Sequence, residues 1–450
     1  MIDRRLVLKG LAGLAGSCFL PIPAGAGAVS GSINAAEFGL IPESTSDQSV
    51  MFDALLKQAA SSGERIFLPP GTYIVSGLQF PSYVNLVGVS GKSRLRLGGK
   101  SLITANGGHV QIASLVIDGD GRSLSNESRG LVEAGNVGHF VLDDCQITGA
   151  GKNALDLFNC GGRIENCRIS GARDAAIYAA NSTGLLIQAN EISDCGNGGI
   201  LVQRYEQGRD ATIITNNRVS RIRADGGGTG QNGNGINIYR TDNVIIAGNV
   251  VDASAFSSIR ANTARNIQIT GNNCTASGET AIYAEFAFEG AVISANLIDG
   301  GTNGISMVNY DKGGRMGTCS NNVIRNLSTE GPYIPGPATP ANFGVGITVE
   351  ADISVTGNLI ENAPLYGIQL GWGTYMRNVI ATGNIVRMSG EGIYVSVVEG
   401  VGSATITDNI IQGAKNGGIV GHSWAEITDR DLTAKASDYP NLIVERNSVS

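Results

Sequence analysis

Charge is scarce in this chain: of 450 residues only 16% are Asp, Glu, Lys or Arg, and the formal balance is −7. No basic run is long enough to follow a phosphate backbone, which removes nucleic acid as a partner. Aromatic residues make up 6%, and the three His are scattered. No Cys–His spacing builds a zinc site, so neither metal nor other cofactor is expected. After residue 20 there is no run of 18 apolar residues, and no later helix is expected to span a membrane. What abounds is glycine, 64 residues. That suits a chain of many tight turns around a thin continuous core.

The repeat explains the glycine. Fragments such as NVIIAGNVVD (243–252), NIQITGNNCT (266–275) and ATITDNIIQG (404–413) share one pattern: apolar alternation, Asn, then a second short alternation. The marked column is Asn190, Asn217, Asn249, Asn272, Asn296, Asn322, Asn358, Asn384, Asn409 and Asn447, with Cys145 and Cys167 in the two earlier turns. The step from Cys145 to Cys167 is 22 residues and that from Asn409 to Asn447 is 38. A fixed unit carrying loops of variable length gives such steps, and such a period is the mark of a solenoid. A second column, a small residue then an apolar one, keeps the same register, as in Ala176-Ile177, Gly199-Ile200, Gly346-Ile347 and Gly392-Ile393. Period-2 alternation makes each unit three short strands, one starting at the Gly-Ile pair and one on either side of the Asn. Units of that length stack like strand on like strand, about 4.8 Å apart. The expected fold is therefore all-β: a single parallel β-helix with three strands per coil and an inward Asn ladder. Cys274 and Cys319 fall on inward positions. Cys145 and Cys167 stack on adjacent coils, either as a disulfide or as two thiols filling Asn places. Asp118 and Asp120 in VIDGDGRS (116–123) read as a glycine-rich turn after a strand, or as part of a calcium site with too few ligands.

The first residues read as an address. Arg4-Arg5-Leu6-Val7-Leu8-Lys9 resembles the twin-arginine translocation consensus, and a short apolar run, Gly10 to Leu20, follows. Residues 1–28 are expected to be a signal peptide cleaved so that the mature chain starts between 27 and 29. The expected partner is the twin-arginine export machinery, and the expected location is the periplasm or the exterior. One domain, 29–450, remains. Its residues 34–90 are the N-terminal cap and first coils, and 91–450 the repeat coils. The cap carries a helix over about Asp47 to Ala60, with Ser46 as N-cap, an apolar face of Val50, Leu55, Leu56 and Ala59, and Gly63 as the stop. Laid over the first coil, that helix covers an open strand edge.

Phe38-Gly39, this helix, Pro69-Pro70-Gly71-Thr72-Tyr73 and Val84-Asn85-Leu86-Val87-Gly88 resemble the start of the pectin-lyase-like superfamily. With the leader, the whole resembles a family of uncharacterised twin-arginine-translocated repeat proteins. The resemblance implies a right-handed helix, a substrate groove along the strand that starts at the Gly-Ile column, and polysaccharide cleavage or modification in many relatives. It supplies no reaction. Asp143-Asp144-Cys145 resembles a polygalacturonase motif but lies on another face. That family's Gly-His-Gly and Arg-Ile-Lys motifs are missing, as is the Arg-x-Pro-x-x-Arg of classical pectate lyases.

Geometry supplies the candidates instead. In the Gly-Ile strands the residue after Ile points outward, and so does the one two further on. The middle coils place Asn237, Tyr239, Arg260, Asn262, Tyr283, Glu285, Glu350 and Gln369 there. Flat rings suit the C–H surface of a pyranose, and amides and charges suit its hydroxyls. The extra length of the coils falls beside this face, at 223–234, 309–317, 327–343, 371–376 and 422–441. Tyr310, Tyr333, Trp372 and Tyr375 are aromatic candidates for groove walls. Glu285 and Glu350 lie two coils apart, about 10 Å between backbones, and are the expected acid and base. Arg260 is the expected anchor for a uronate carboxylate, or the base of a lyase. Asn237, Tyr239, Asn262, Tyr283, Gln369 and Trp372 are expected to bind substrate. The expected function is binding, and hydrolysis or elimination, of a polysaccharide. The alternative is a non-catalytic envelope protein that binds glycan or forms a scaffold. The last coil is covered by residues 423–441 or by self-association with a second subunit.

Overall fold

The computed structural model describes residues 31–228, 230–333 and 343–450. Residues 1–30, which include Arg4, Arg5 and Cys18 of the expected leader, and most of the 327–343 loop lie outside the described residues. The rest winds into a parallel β-solenoid of about 14 turns. The isoleucines of the Gly-Ile column fix the register: Ile200, Ile236, Ile259, Ile282 and Ile305 are direct partners from coil to coil, and all are buried. A slip of one residue would turn this inward column to solvent, so the apolar alternation alone specifies the pairing. The small residue before each Ile has an equally local cause. A Cβ on Gly346 would stand 2.4 Å from the Gly367 carbonyl oxygen of the next coil, and one on Gly392 2.4 Å from that of Gly418.

The Asn column closes the bend between the second and third strands. Asn249 Nδ2 donates to Asn272 Oδ1 (3.0 Å), and the same oxygen accepts the Asn249 backbone N–H (3.0 Å). The other Nδ2 hydrogen goes back one coil, to the Ile214 carbonyl (3.0 Å). The pattern continues unbroken to Asn447. Each amide thus satisfies at depth the groups that the bend would strand. The residue before each rung is left-handed, whether glycine (Gly271, φ 65°) or not (Ala295, φ 55°; Asp408, φ 59°). Cys145 and Cys167 occupy the first two rungs; both are free buried thiols, as are the other four cysteines among the described residues. The expected alternative of a disulfide is therefore corrected. Cys167 still donates its backbone N–H to Asn190 Oδ1 (3.0 Å), so the ladder begins on thiols. Asp118 is engaged by Arg94 (2.7 Å) and by the Asp120 N–H (2.9 Å), which makes this stretch an ion-paired turn rather than a calcium site.

The cap helix, α1 (Ser49–Ser62), ends at Gly63 in the left-handed conformation as expected. Its start differs from expectation. Gln48, not Ser46, is the N-cap residue; its side chain is bonded instead to Ile41, and Asp47 Oδ1 accepts the Ser49 N–H (2.8 Å). The buried face is Phe52, Leu55, Leu56 and Ala59, whereas Val50 is 88% exposed. Phe52, Leu55, Leu56 and Ala59 fall at i, i+3, i+4 and i+7 on one face, and Val50, two residues before Phe52, falls on the opposite side. At the far end, Ile419–Ser423 pairs with Glu426–Asp429, the only antiparallel pairing among the described strands. Leu432 is fully buried there, so residues 423–441 do fold across the last coils.

Candidate functional site

The first strand of each coil forms one continuous face, and the long loops gather beside it. Between them is a cavity of about 310 Å³. Its floor is the first outward column: Tyr283, Ser306, Thr348 and Gln369 are successive partners across four coils. Thr280, Asn303 and Val345 form one side, and Val308, Asn309 and Glu350 the other. Tyr333 and Phe343 enter from the loop whose middle lies outside the described residues, and Trp372 closes the C-terminal end. The cavity therefore exists because inserts after Asn309, after Leu327 and after Gly371 fold back over the same four coils.

Two buried carboxyls face this space. Glu350 is 8% exposed, and its Oε2 accepts the Tyr310 N–H (2.6 Å) from a single 3₁₀ turn, Tyr310–Lys312. Burial, helped by the charge of nearby Asp311, pushes its pKa up to about 7. Glu279 is 6% exposed and accepts the Tyr333 O–H (2.6 Å). Burial raises its pKa as well, while the Tyr333 hydrogen bond and the Arg260 charge pull the other way. Burial and the adjacent Glu279 raise the Tyr333 phenol in turn. A buried carboxyl with few donors holds its proton into the neutral range, which is the property required of a general acid.

Of the residues expected from sequence, the structure brings Tyr283, Tyr333, Glu350, Gln369 and Trp372 to the cavity wall. Arg260 and Asn262, both half-buried, instead close around the buried Glu285. Arg260 reaches Glu285 Oε1 through Nη2 (2.5 Å) and Nε (2.6 Å), Nη1 donates to the Gly230 carbonyl, and Asn262 Nδ2 donates to the same carboxylate oxygen (2.7 Å). Burial raises Glu285 against the pull of Arg260 and Asn262. The Arg260 fork is thus spent within the protein. Asn237 and Tyr239 lie one coil further toward the N-terminus, outside the cavity, with the Arg240 guanidinium over the Tyr239 ring (4.9 Å). Tyr310 receives a hydrogen bond from Arg377 (2.9 Å), and Tyr375 meets Trp424 edge to face (6.2 Å). Beyond the cavity, Trp372 stacks on Tyr394 (6.2 Å), and beneath Tyr394 a buried His422–Glu391 pair is held at 2.8 Å. Sequence reasoning missed Glu279, Asn303 and Asn309. Glu279 stands three residues before Ile282; columns begun at the Gly-Ile pair stop short of it, and extending them backward would have found it.

Sequence profiles agree with this architecture. The family described as "Right handed beta helix region" matches residues 103–230 and 207–384, together more than half of the chain. The family described as "Rhamnogalacturonase A/epimerase, pectate lyase-like" matches residues 32–111. None of the curated proteins is significantly similar. Among solved structures, the N-terminal fragment of bacteriophage Phi29 gene product 12 superposes with a TM-score of 0.56 at 15% identity, covering 87% of this chain and 71% of that one. The A-module of Azotobacter vinelandii mannuronan C-5 epimerase AlgE6 gives 0.46 at 13% identity, covering 93% and 99%. An α-1,3-glucanase catalytic unit from Streptomyces thermodiastaticus gives 0.47 at 16%, covering 96% and 71%. Identities this low establish a shared fold and nothing finer. In its ladder, its coils and its profile matches, the chain belongs to the right-handed β-helix family of the pectin-lyase-like superfamily.

Proposed function

We propose that this protein is an exported glycoside hydrolase that holds a polysaccharide along the first face and cleaves it in the cavity. The observation that carries the reading is Glu350: a buried carboxyl at a concave, loop-walled site, with its pKa near 7. Such a group supplies the proton that a leaving glycosidic oxygen needs. Glu279 is the second carboxyl. Burial raises its pKa on balance, but the Tyr333 hydrogen bond and the Arg260 charge oppose that rise, whereas no cation opposes it at Glu350; of the two, Glu279 is therefore assigned the role of base. Glu279 and Glu350 are two coils and six strand positions apart, on the order of 20 Å between backbones. Each side chain takes up about 5 Å of that span, which leaves the carboxyls on the order of 10 Å apart, too far for the roughly 5 Å of a retaining pair and at or beyond the upper end of the roughly 6.5–9.5 Å of an inverting one. Tyr283 and Trp372 offer rings, and Asn303, Asn309 and Gln369 offer amides, for the faces and hydroxyls of the sugar. The match of the cap to a family described by rhamnogalacturonase supports a glycan as ligand, but lies away from the cavity. The Arg4-Arg5 leader supports export into the periplasm or beyond.

The test is incubation of the mature chain with acidic and neutral polysaccharides. New reducing ends without unsaturated-uronate absorbance are expected. Glu350→Gln and Glu279→Gln should each lower kcat by a factor of about 100 or more. Retention of full activity by both would discard this site, and glycan binding without cleavage by the wild-type chain would leave a binding protein in place of the enzyme.

A further inference from the structure

Resting on the reading of the cavity as a glycan site, we infer that it takes uncharged sugar units and rejects uronic acids. Every described residue that lines it is neutral or acidic; the charged side chains are Glu279 and Glu350. The nearby cations are already committed. Arg260, with its side chain 12% exposed, is bonded to Glu285 and to the Gly230 carbonyl. Arg377 is paired with Asp352 and donates to Tyr310, and Lys312, exposed beside Asp311 (3.1 Å), does not line the cavity.

A uronate entering this space would lose its water shell without gaining a counter-ion, beside two carboxyls whose ionisation it would also oppose. Burial of an unpaired carboxylate costs several kcal/mol, enough to suppress binding by orders of magnitude. A hydroxymethyl group at the same ring position carries no such cost, and Asn303, Asn309 and Gln369 can bond it. The same geometry disfavours elimination, because that reaction needs a cation on the uronate carboxylate to acidify the neighbouring C–H. Selection here is the lack of a partner charge more than any shape.

Matched polymer pairs isolate the charge. Polygalacturonate, polymannuronate and polyglucuronate are each compared with the same polymer after reduction of its carboxylates to hydroxymethyl groups. Binding to the Glu350→Gln chain is measured by calorimetry and cleavage by the wild-type chain through reducing ends. At least one reduced polymer is expected to bind tenfold or more tighter than its acidic parent, with no parent cleaved. Preference for an acidic parent in any pair overturns the inference and leaves the glycan reading standing. Failure of all six polymers and of neutral α- and β-glucans to bind overturns both. As a converse measurement, Ser306→Arg places a cation on the floor and should raise uronate affinity relative to the reduced partner; an unchanged ratio in a folded variant counts against the inference.

Discussion

Glu350 concentrates the conflict between stability and chemistry in one side chain. Its carboxyl is buried with one strong backbone donor, so the folded state prefers it protonated, at a pKa near 7 against an ordinary 4.5. The native state therefore binds more protons than the unfolded chain between those values. This group's contribution is most favourable below about 4.5 and is lost as pH rises through 7, a loss of roughly 3 kcal/mol. Glu350→Gln should remove that slope: denaturant titrations from pH 5 to 8 should show a variant stabilised on the alkaline side, while turnover disappears. Tyr333→Phe tests the second carboxyl. Losing the O–H donor should raise the Glu279 pKa further, moving the acidic limb of the kcat/KM profile to higher pH and cutting kcat about tenfold. Neither effect was visible in residue types alone. Glu285 and Glu350 share a column, and only the Arg260 side chain lying across Glu285 distinguishes them.

Among the elements, the bend that carries the ladder is the best-specified part. Asn272 accepts from Asn249 twice and donates to Asn296 and to the Ile246 carbonyl. Asn272→Ala leaves buried donors on one side and an acceptor on the other, and should cost about 3 kcal/mol in urea unfolding, well beyond an ordinary surface change. The alternation, the small-apolar column and the ladder were all legible in sequence, because each is a contact between residues one coil apart. The cap helix was legible in its stop and not in its start. Gly63 marks the end through a backbone constraint, whereas the beginning depends on Gln48 reaching Ile41, a tertiary contact. Cys145 and Cys167 were legible as ladder substitutes, and the structure leaves both as free thiols.

The whole molecule is a stack in which each coil touches chiefly its neighbours. Stability should then be a sum of coil and interface contributions. Substituting Asn272 and Asn296 together should cost measurably less than the sum of the two single changes, since one shared hydrogen bond is lost only once. Asn190 and Asn409, many coils apart, should add to within about 0.5 kcal/mol. Equal additivity in both pairs would mean that the rungs do not communicate through the shared bond. The site obeys a different logic. Its floor is a product of the stack, but its walls are inserts of unrelated sequence that meet only because the coils set them side by side.

The solenoid, its register, its inward Asn and Ile columns and the face beside which the loops collect are all written in the linear order of residues. Period and alternation encode these through contacts repeated every coil, so many residues vote for each. The tertiary structure alone decided which outward residues share a cavity, that Arg260 is consumed by Glu285 while Glu350 stands beside Tyr310, and that Glu279 joins it. Those outcomes hang on single side chains and on loops without a period, for which no repetition in the chain supplies a second witness.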